Sequence, residues 1–593
     1  MRNKAVKKSL LLVFACLFLL SAVLTGCGGT SQNSGNENTA ANSGTAPAQS
    51  TSAAIDHSQV LTIDVYDNAA NYQGEQTGWY GKILKDKFNL KLNILAPQVA
   101  GDTLYKTRSA AGNLGDLLVI DNSQLEELIP AGLIMDISDL VKNSSNLSKY
   151  VDNHFLPFNK AFDKVNPDGK IYAMPTFEAD TSPTTFSEEI PYSSPIMPWD
   201  YYKGVGAPQV NNLSDLLNTL KAMHDKYPKT PDGKTIVPIT LWKDWDGGSM
   251  ENVRWLSNWY GYQQPDGTSS IQLNAKGDIV PLSDDNSMYK KILKFYYDAN
   301  KMGLVDPDSA SQDWNKVSEK LTNKQVLLLW YSWQRGFYNS IERGKNGDGN
   351  VSIPIGDSHI IQNSDAYYGD GRVFALGSKA KDPQRIMEFL DWYVSPEGLR
   401  YYTNGFEGFN YEKTADGKLK LTEVGQTAFQ KNTPVPAEFG GGGYQDGQCK
   451  INSMIMSDFV KDPDTGEFYN NNYWSSTIEA NKTQLTTEWQ AKFGATNATE
   501  YYQKNKMIDI VPNINTSLGS DSSDIKNKRS QTSELVKNTS WKMIFAKNEA
   551  EFNQLWDKMK TDLDGLGWKD VVAADTAKAQ KIVKMRADAT ASK

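Results

Sequence analysis

The chain carries three short apolar runs: LTIDVY at residues 61–66, KLNIL at residues 91–95 and DLLVI at residues 116–120. Stretches long enough to form helices separate them, around residues 80–88 and 104–111. Strands and helices that alternate at roughly 25-residue spacing are typical of a parallel sheet covered by helices. Such sheets bind ligands outside the carboxyl ends of their strands. The pattern therefore predicts an α/β fold with a binding site at that edge of the sheet.

A second α/β unit follows further along the chain. Apolar residues recur every three or four positions over residues 213–227, after Asn212 as a helix cap and before Pro228, which ends the pattern. Residues 236–241 and 325–330 are expected to form strands, and residues 288–302 a helix. Helical spacing also marks residues 382–393 and 552–563. A chain of 593 residues has room for two large lobes of this kind.

Composition and motifs exclude several classes of function. The formal net charge is −8 and no Lys/Arg-rich run follows residue 8, so we expect no nucleic-acid partner, because phosphate binding needs a basic surface. The four histidines lie far apart, outside any zinc-binding motif, and no Gly-x-Ser-x-Gly motif is present. We predict no catalytic residue, metal or cofactor. The 70 acidic residues nevertheless leave a glycosidase with paired carboxylates open as an alternative.

The first 26 residues have the plan of a secretory signal peptide, with four basic residues ahead of an apolar stretch at residues 10–20. The next signal, Leu24-Thr25-Gly26-Cys27, resembles a bacterial lipobox, whose cysteine receives a diacylglyceryl group. We expect a lipid on Cys27 to hold the protein at the extracellular face of the cell membrane. Residues 28–58 are small and polar, with no aromatic side chain, so residues 27–58 are expected to form the lipid anchor and a flexible linker.

Aromatic residues are concentrated in the second unit. Eight of the 15 tryptophans lie between residues 199 and 333. A sugar ring has an apolar C–H face rimmed by hydroxyls, which suits stacking on an indole. Because Trp242, Asp244 and Trp245 follow a predicted strand, we expect one of the two indoles to stack on a ligand beside the carboxylate. Trp255 and Trp259, four residues apart on a predicted helix, are expected to be core residues.

Several local signatures resemble one protein family. They are DGKIYAMP at residues 168–175, GLVDP at 303–307, KDPQR at 381–385, FLDW at 389–392, SPEG at 395–398 and GFEG at 405–408. In this order along residues 60–410 they resemble the extracellular solute-binding proteins of ABC importers, in the sugar-binding family 1 group. The long insertions and NYQG at residues 71–74 resemble the large oligosaccharide-importing lipoproteins of Gram-positive bacteria.

The resemblance implies a two-lobed periplasmic-binding-protein type II fold, the Venus flytrap. Lobe 1 is expected at residues 59–180 and 373–409, and lobe 2 at residues 188–368 and 410–593. The implied function is that of a receptor without enzymatic activity, which binds an oligosaccharide between the lobes and delivers it to the permease subunits of an ABC transporter. We expect a monomer. A secreted glycan-active enzyme and a surface adhesion lipoprotein remain the alternatives.

The resemblance also places ligand contacts on this sequence by position. The expected contacts are Asn68, Tyr72, Gln73, Asp121, Asn122, Glu178, Trp242, Asp244, Trp245, Trp330, Trp333, Tyr368 and Arg372. Some large relatives carry a structural calcium loop rich in Asp and Asn. The matching stretch here is only KTPDGK at residues 229–234, so no calcium site is predicted.

Overall fold

The computed structural model describes residues 55–591, apart from residue 102 and residues 180–181, 367–368 and 515–517. The predicted signal peptide, Cys27, most of the linker and Tyr368 therefore lie outside the described residues. Within the described part, no helix is both long enough and apolar enough to span a bilayer.

The described residues contain sixteen β-strands, numbered here in chain order. They are β1 Leu61–Asp67, β2 Gly74–Glu75, β3 Leu90–Leu95, β4 Leu117–Asp121, β5 Ala173–Pro175, β6 Ser193–Pro198, β7 Tyr262–Gln263, β8 Ile271–Asn274, β9 Ile279–Pro281, β10 Leu329–Tyr331, β11 Asn350–Ser352, β12 Ile360–Asn363, β13 Arg372–Leu376, β14 Tyr411–Lys413, β15 Leu419–Leu421 and β16 Ile508–Val511.

The α-helices of the described part are numbered in the same way. They are α1 Gly78–Phe88, α2 Pro97–Ala100, α3 Thr103–Ala110, α4 Leu125–Leu128, α5 Ser138–Lys142, α6 Leu156–Lys160, α7 Trp199–Gly204, α8 Leu213–Lys226, α9 Glu251–Ser257, α10 Met288–Lys301, α11 Trp314–Thr322, α12 Ile341–Lys345, α13 Pro383–Tyr393, α14 Pro396–Asn404, α15 Glu423–Lys431, α16 Ser475–Ala480, α17 Gln484–Phe493, α18 Ala498–Lys504, α19 Ser523–Ile544, α20 Glu549–Gly565 and α21 Trp568–Ala591.

The first lobe is built on a six-stranded sheet with the order β2-β3-β1-β4-β13-β5. The predicted strands β1, β3 and β4 are parallel to one another, which confirms the β-α-β-α-β pattern. Alternate residues of β4 enter two different cores, Leu117 and Val119 on one face and Leu118 and Ile120 on the other. Burial of both faces explains why the run is continuously apolar instead of alternating with polar residues.

The second lobe has a larger core and a smaller sheet. Strand β6, buried along its whole length, pairs antiparallel with β10 and β11. Helices α8 and α10 pack on this core through the apolar faces that the sequence predicts. The predicted cap is confirmed, because the Asn212 side chain accepts a hydrogen bond from the backbone N–H of Asp215 at 2.9 Å.

The strand predicted at residues 236–241 does not form as a regular element. The segment makes only isolated parallel bridges, Val237 with Val326 and Ile239 with Val305. Proline has no backbone N–H, so Pro238 cannot donate to a neighbouring strand, although its carbonyl accepts hydrogen bonds from the N–H groups of Leu327 and Leu328. Ile236, Ile239 and Leu241 are buried, but the ladder is interrupted.

The segment after Phe409 packs on the first lobe, whereas residues 410–593 were expected to belong to the second lobe. Tyr444 stacks on Trp79 of the first lobe with ring centroids 5.3 Å apart, and its carbonyl accepts a hydrogen bond from Trp79 Nε1 at 2.7 Å. Phe439 stacks in the same way on Phe406, at 4.4 Å. These aromatic contacts hold residues 410–474 on the first lobe. The chain enters the core of the second lobe again at Leu485.

The chain crosses between the two cores near residues 176–190, 363–372 and 474–485. The first two crossings are bonded to each other. Thr176 donates its backbone N–H to the carbonyl of Arg372 at 3.1 Å, and Ser187 donates its hydroxyl to Asp365 Oδ2 at 2.7 Å.

Candidate functional site

A cavity of about 530 Å³ lies at the edge of the first-lobe sheet where β1 and β4 end. Its lining is Tyr66, Asn68, Ala69, Pro97, Tyr105, Asp121, Gln124 and Arg372. Three predicted contacts, Asn68, Asp121 and Arg372, are thus brought together. Arg372 reaches this edge because it begins β13, which runs antiparallel to β4 and pairs it directly with Asp121.

Hydrogen bonds orient the polar side chains on one wall of this cavity. Asn68 Nδ2 donates to Asp121 Oδ2 at 3.2 Å and to Gln124 Oε1 at 2.8 Å. Gln124 also accepts from the backbone N–H of Asp121 at 3.0 Å, which caps the short turn after β4. Burial raises the pKa of Asp121, and the positive charge of Arg372 opposes that rise.

Arg372 is held by two other groups. Its guanidinium donates to Asp370 Oδ2 at 2.8 Å and to the carbonyl of Asn452 at 3.0 Å. Asn452 in turn donates its backbone N–H to the buried Asp67 carboxylate at 2.8 Å. The cavity therefore presents fixed hydrogen-bond donors and acceptors beside the rings of Tyr66 and Tyr105. The positive charge of Arg372 is balanced by Asp370.

Three other predicted contacts, Tyr72, Gln73 and Asn122, do not line this cavity. The Tyr72 hydroxyl donates to a backbone carbonyl three residues away at 2.8 Å. Gln73 Oε1 accepts from the backbone N–H of Ala96 at 2.8 Å, and Asn122 donates its backbone N–H to Gly371 at 2.9 Å. These contacts support the loops around the cavity.

Glu178 lies inside the first lobe. Its side chain is 1% exposed, and His154 Nδ1 lies 2.9 Å from its carboxylate. Burial raises the pKa of Glu178 to about 7, and the interaction with His154 opposes the rise. The backbone of Glu178 is bonded to Ile455 at 2.9 Å. In this conformation Glu178, which was predicted to contact the ligand, is instead buried and paired with His154.

Five tryptophans and one tyrosine of the second lobe form a single group, here called the tryptophan cluster. Its members are Trp242, Trp245, Trp314, Trp330, Tyr331 and Trp333. Trp242 and Trp330 are stacked at 5.3 Å with an interplanar angle of 4°, and Trp245 stands edge-on to Trp242 at 5.1 Å. The structure therefore brings all four predicted tryptophans together.

The members of the tryptophan cluster differ in exposure. Trp242 is 0% exposed and Trp330 is 1% exposed, so both are core residues in this conformation. Trp245 is 36% exposed and Trp333 is 37% exposed. Asp244, expected to face a ligand, accepts a hydrogen bond from the backbone N–H of Trp314 at 2.7 Å, at the start of α11. Of the four predicted tryptophans, only Trp245 and Trp333 are exposed.

Sequence reasoning missed the polar groups beside the exposed edge of this cluster. Glu188 and Arg335 are half-buried there, and the charges acting on Glu188 include Asp365 and Asp458. Burial raises the pKa of Glu188 to about 7 and lowers the pKa of Arg335. Asp458 belongs to the segment that packs on the first lobe, so this group lies where the two lobes meet. The residue pair Glu188-Glu189 next to a predicted crossing was the available signal.

Among the described residues, no three His, Cys, Asp or Glu side chains are grouped closely enough to hold a metal ion. At the loop compared with a calcium site, Asp232 is engaged by the Thr230 hydroxyl and by Lys234. The expectation that the protein binds no metal or cofactor stays a prediction.

A family model for bacterial extracellular solute-binding proteins matches residues 79–411, more than half of the chain. The chain belongs to this family. Membership agrees with the resemblance read from the sequence signatures and indicates an extracellular, membrane-associated location.

One curated relative of this solute-binding protein is the fructooligosaccharide ABC transporter substrate-binding protein FusA of Streptococcus pneumoniae serotype 4. It is 24% identical over 294 residues, which is 48% of this chain and 52% of FusA. The match therefore spans about half the length of the relative.

Solved structures share the fold of this solute-binding protein. FusA of S. pneumoniae in complex with kestose has a TM-score of 0.60 at 15% identity, over 88% of this chain and 99% of that chain. An extracellular solute-binding protein from Bifidobacterium longum subsp. infantis has a TM-score of 0.59 at 12% identity, over 88% and 98%. The predicted two-lobed periplasmic-binding-protein type II fold is confirmed.

Replacement of Trp242 by Ala is expected to destabilise the second lobe by about 3–5 kcal/mol, because it removes a fully buried indole from a stack and leaves a cavity. Trp245→Ala, the matched control on the exposed side, should cost less than about 1 kcal/mol. Urea unfolding followed by tryptophan fluorescence and circular dichroism measures both values. Equal losses in the two variants would contradict the division of the cluster into buried and exposed members.

The Glu178 carboxyl is expected to make stability depend on pH. Its pKa of about 7 in the folded protein exceeds the ordinary value of 4.5, so it binds a proton more tightly in the folded chain. The stability that comes from this tighter proton binding is fully present below pH 4.5 and is lost as pH rises through about 7.

Glu178→Gln cannot ionise, so it should raise stability at pH 8 by about 1–3 kcal/mol and flatten the fall in melting temperature between pH 5.5 and 8. Thermal melts across this range test the expectation. The exposed Glu342→Gln is the control and should follow the wild type. A Glu178→Gln variant with an unchanged pH profile would show that the carboxyl is not protonated preferentially in the folded state.

Proposed function

We propose that this protein is a membrane-anchored extracellular receptor, which binds an oligosaccharide between its lobes and delivers it to the permease of an ABC transporter. The observation that carries the proposal is the pair of exposed indoles, Trp245 and Trp333, near the polar residues Glu188 and Arg335. A flat apolar face next to hydrogen-bonding groups complements a sugar ring, whose C–H face is rimmed by hydroxyls.

Exposed indoles supply the apolar part of this argument. Water contact with apolar surface costs about 25 cal/mol per Å², so large rings exposed in one place point to a partner that covers them. Trp245 lies 6.0 Å from Trp333, and Trp333 is stacked on Tyr331 at 5.1 Å. The buried members of the tryptophan cluster hold these rings from behind, which limits the conformational entropy lost on binding.

The relatives support the class of ligand. FusA is a fructooligosaccharide ABC transporter substrate-binding protein, and one of its structures is a complex with kestose. The first-lobe cavity, with Asn68, Asp121 and Arg372, offers a second set of polar groups that can hydrogen-bond a sugar. No observation on the described residues specifically favours a glycan-active enzyme or an adhesin. The absence of enzymatic activity, the monomeric state and the permease contact stay predictions.

Trp333→Ala and Trp245→Ala are expected to weaken oligosaccharide binding by about tenfold to thirtyfold, since each removes a stacking face worth about 1.4–2 kcal/mol. Isothermal titration of the purified protein with kestose and a panel of neutral tri- and tetrasaccharides measures the affinities. Ile478→Ala, which removes an exposed apolar side chain on α16, should bind as the wild type does. Unchanged affinity in both tryptophan variants would contradict the proposed stacking role.

The lipid anchor is the other part of the proposal. Cys27→Ala should release the protein from the membrane fraction into the medium, because two acyl chains on this cysteine are the proposed attachment. Cys449→Ala is the matched control, because Cys449 is a free cysteine packed against the first-lobe core. Cell fractionation after a high-salt wash distinguishes the two. Retention of the Cys27→Ala protein in the membrane would place the anchor elsewhere.

A further inference from the structure

The first crossing holds Glu188 in a defined position. Immediately before it, Ser187 donates its backbone N–H to Asp365 Oδ1 at 3.0 Å and its hydroxyl to Oδ2 at 2.7 Å. Immediately after it, Glu189 donates its backbone N–H to the hydroxyl of Tyr473 at 3.3 Å. The backbone around Glu188 is therefore tied on one side to the second crossing and on the other to the segment 410–474 that packs on the first lobe.

Arg335 is held from the opposite side. It lies two residues after Trp333, and its Nε donates to the carbonyl of Ser332 at 3.1 Å. This bond uses the Nε donor of Arg335 and leaves the two terminal nitrogens of the guanidinium available. Within the described part of the chain, neither those nitrogens nor the Glu188 carboxylate has a hydrogen-bond or ion-pair partner, although both side chains are half-buried. Their unpaired polar atoms remain in contact with solvent, so a ligand can pair with them in place of water.

The charges around this pair are mostly negative. The negative charges of Asp365 and Asp458 act on Glu188, while Glu188 and Glu189 both act on Arg335. Burial raises the pKa of Glu188 to about 7, which reflects the cost of holding its negative charge there. Four carboxylates against one guanidinium leave no net positive charge to receive an anion. A carboxylate on a sugar would add a fifth negative charge to this acidic group.

We propose that Glu188 and Arg335 form a polar subsite beside Trp333 that hydrogen-bonds the hydroxyls of a neutral sugar ring and discriminates against uronic-acid oligosaccharides. The guanidinium donates and the carboxylate accepts, so adjacent ring hydroxyls, which do both, satisfy the two groups together. The apolar face of the same ring covers Trp333. This inference rests on the proposed function and names the ligand class of that site.

The test compares neutral and acidic ligands of equal length on the full-length protein purified in detergent. The probes are neutral tetrasaccharides of glucose, fructose, mannose and galactose, together with tetragalacturonate, titrated calorimetrically at pH 8, where the Glu188 carboxyl is ionised. At least one neutral probe should bind, and tetragalacturonate should bind at least tenfold more weakly. Glu188→Gln should weaken the neutral ligand about tenfold and narrow the gap between the two classes.

Two further variants complete the design. Arg335→Lys keeps the charge but loses the planar pair of donors, and should also lose affinity for the neutral ligand. Glu342→Gln removes an exposed carboxylate of the same lobe and should change neither class. Thermal melts show whether each variant is folded.

The possible failures are distinguishable. If neither class of sugar binds, the proposed function itself is overturned. If tetragalacturonate binds as tightly as the neutral probes or more tightly, the receptor function stands and the neutral-sugar inference is wrong. A folded Glu188→Gln protein with wild-type affinities for both classes would show that the carboxylate takes no part in recognition.

Discussion

The pairing of β13 between β4 and β5 is the contact on which the rest of this structure depends. The strand comes from a part of the chain that has already passed through the second lobe, and it returns antiparallel into the first-lobe sheet. This return places Arg372 opposite Asp121 at the edge where the parallel strands end. It also brings the second crossing beside the first, where Asp370 donates its backbone N–H to Thr176 at 3.0 Å. One strand thus positions both the cavity and the crossings.

In the second lobe, two tryptophans are exposed to solvent while ring contacts with their neighbours fix their orientation. Trp245 and Trp333 are exposed, yet each touches Trp314, at 4.5 Å and 5.3 Å respectively, and Trp242 is stacked on Trp330 behind them. A ring packed on its back and edges has few rotamers left to lose on binding. The buried members of the cluster therefore contribute to recognition through the orientation of the exposed ones.

The sequence was sufficient for the parts of the fold that follow from local patterns. The apolar runs of β1, β3 and β4, the capped helix α8 and the order of the signatures predicted the α/β lobes and the family. The strand predicted at residues 236–241 does not form as a regular element because Pro238 interrupts the ladder, although Ile236, Ile239 and Leu241 are buried. The lobe boundary predicted after Phe409 differs from the structure, in which residues 410–474 pack on the first lobe. Long-range aromatic contacts such as Tyr444 on Trp79 hold this segment, and no local sequence pattern encodes them.

The candidate site shows the same limit at the level of single residues. The family resemblance identified Asn68, Asp121 and Arg372, and the structure places them just after β1, at the end of β4 and at the start of β13 of one sheet. It could not separate Trp242 from Trp245, which share a loop but differ in burial, since that depends on Trp330, which is 88 residues from Trp242. Glu188 was missed because its setting is created by Arg335 and Asp458, on separate segments. A ligand at Glu188 would touch the segment that Ser187 and Asp365 tie to the second crossing, so its binding free energy would depend on how the two lobes are oriented.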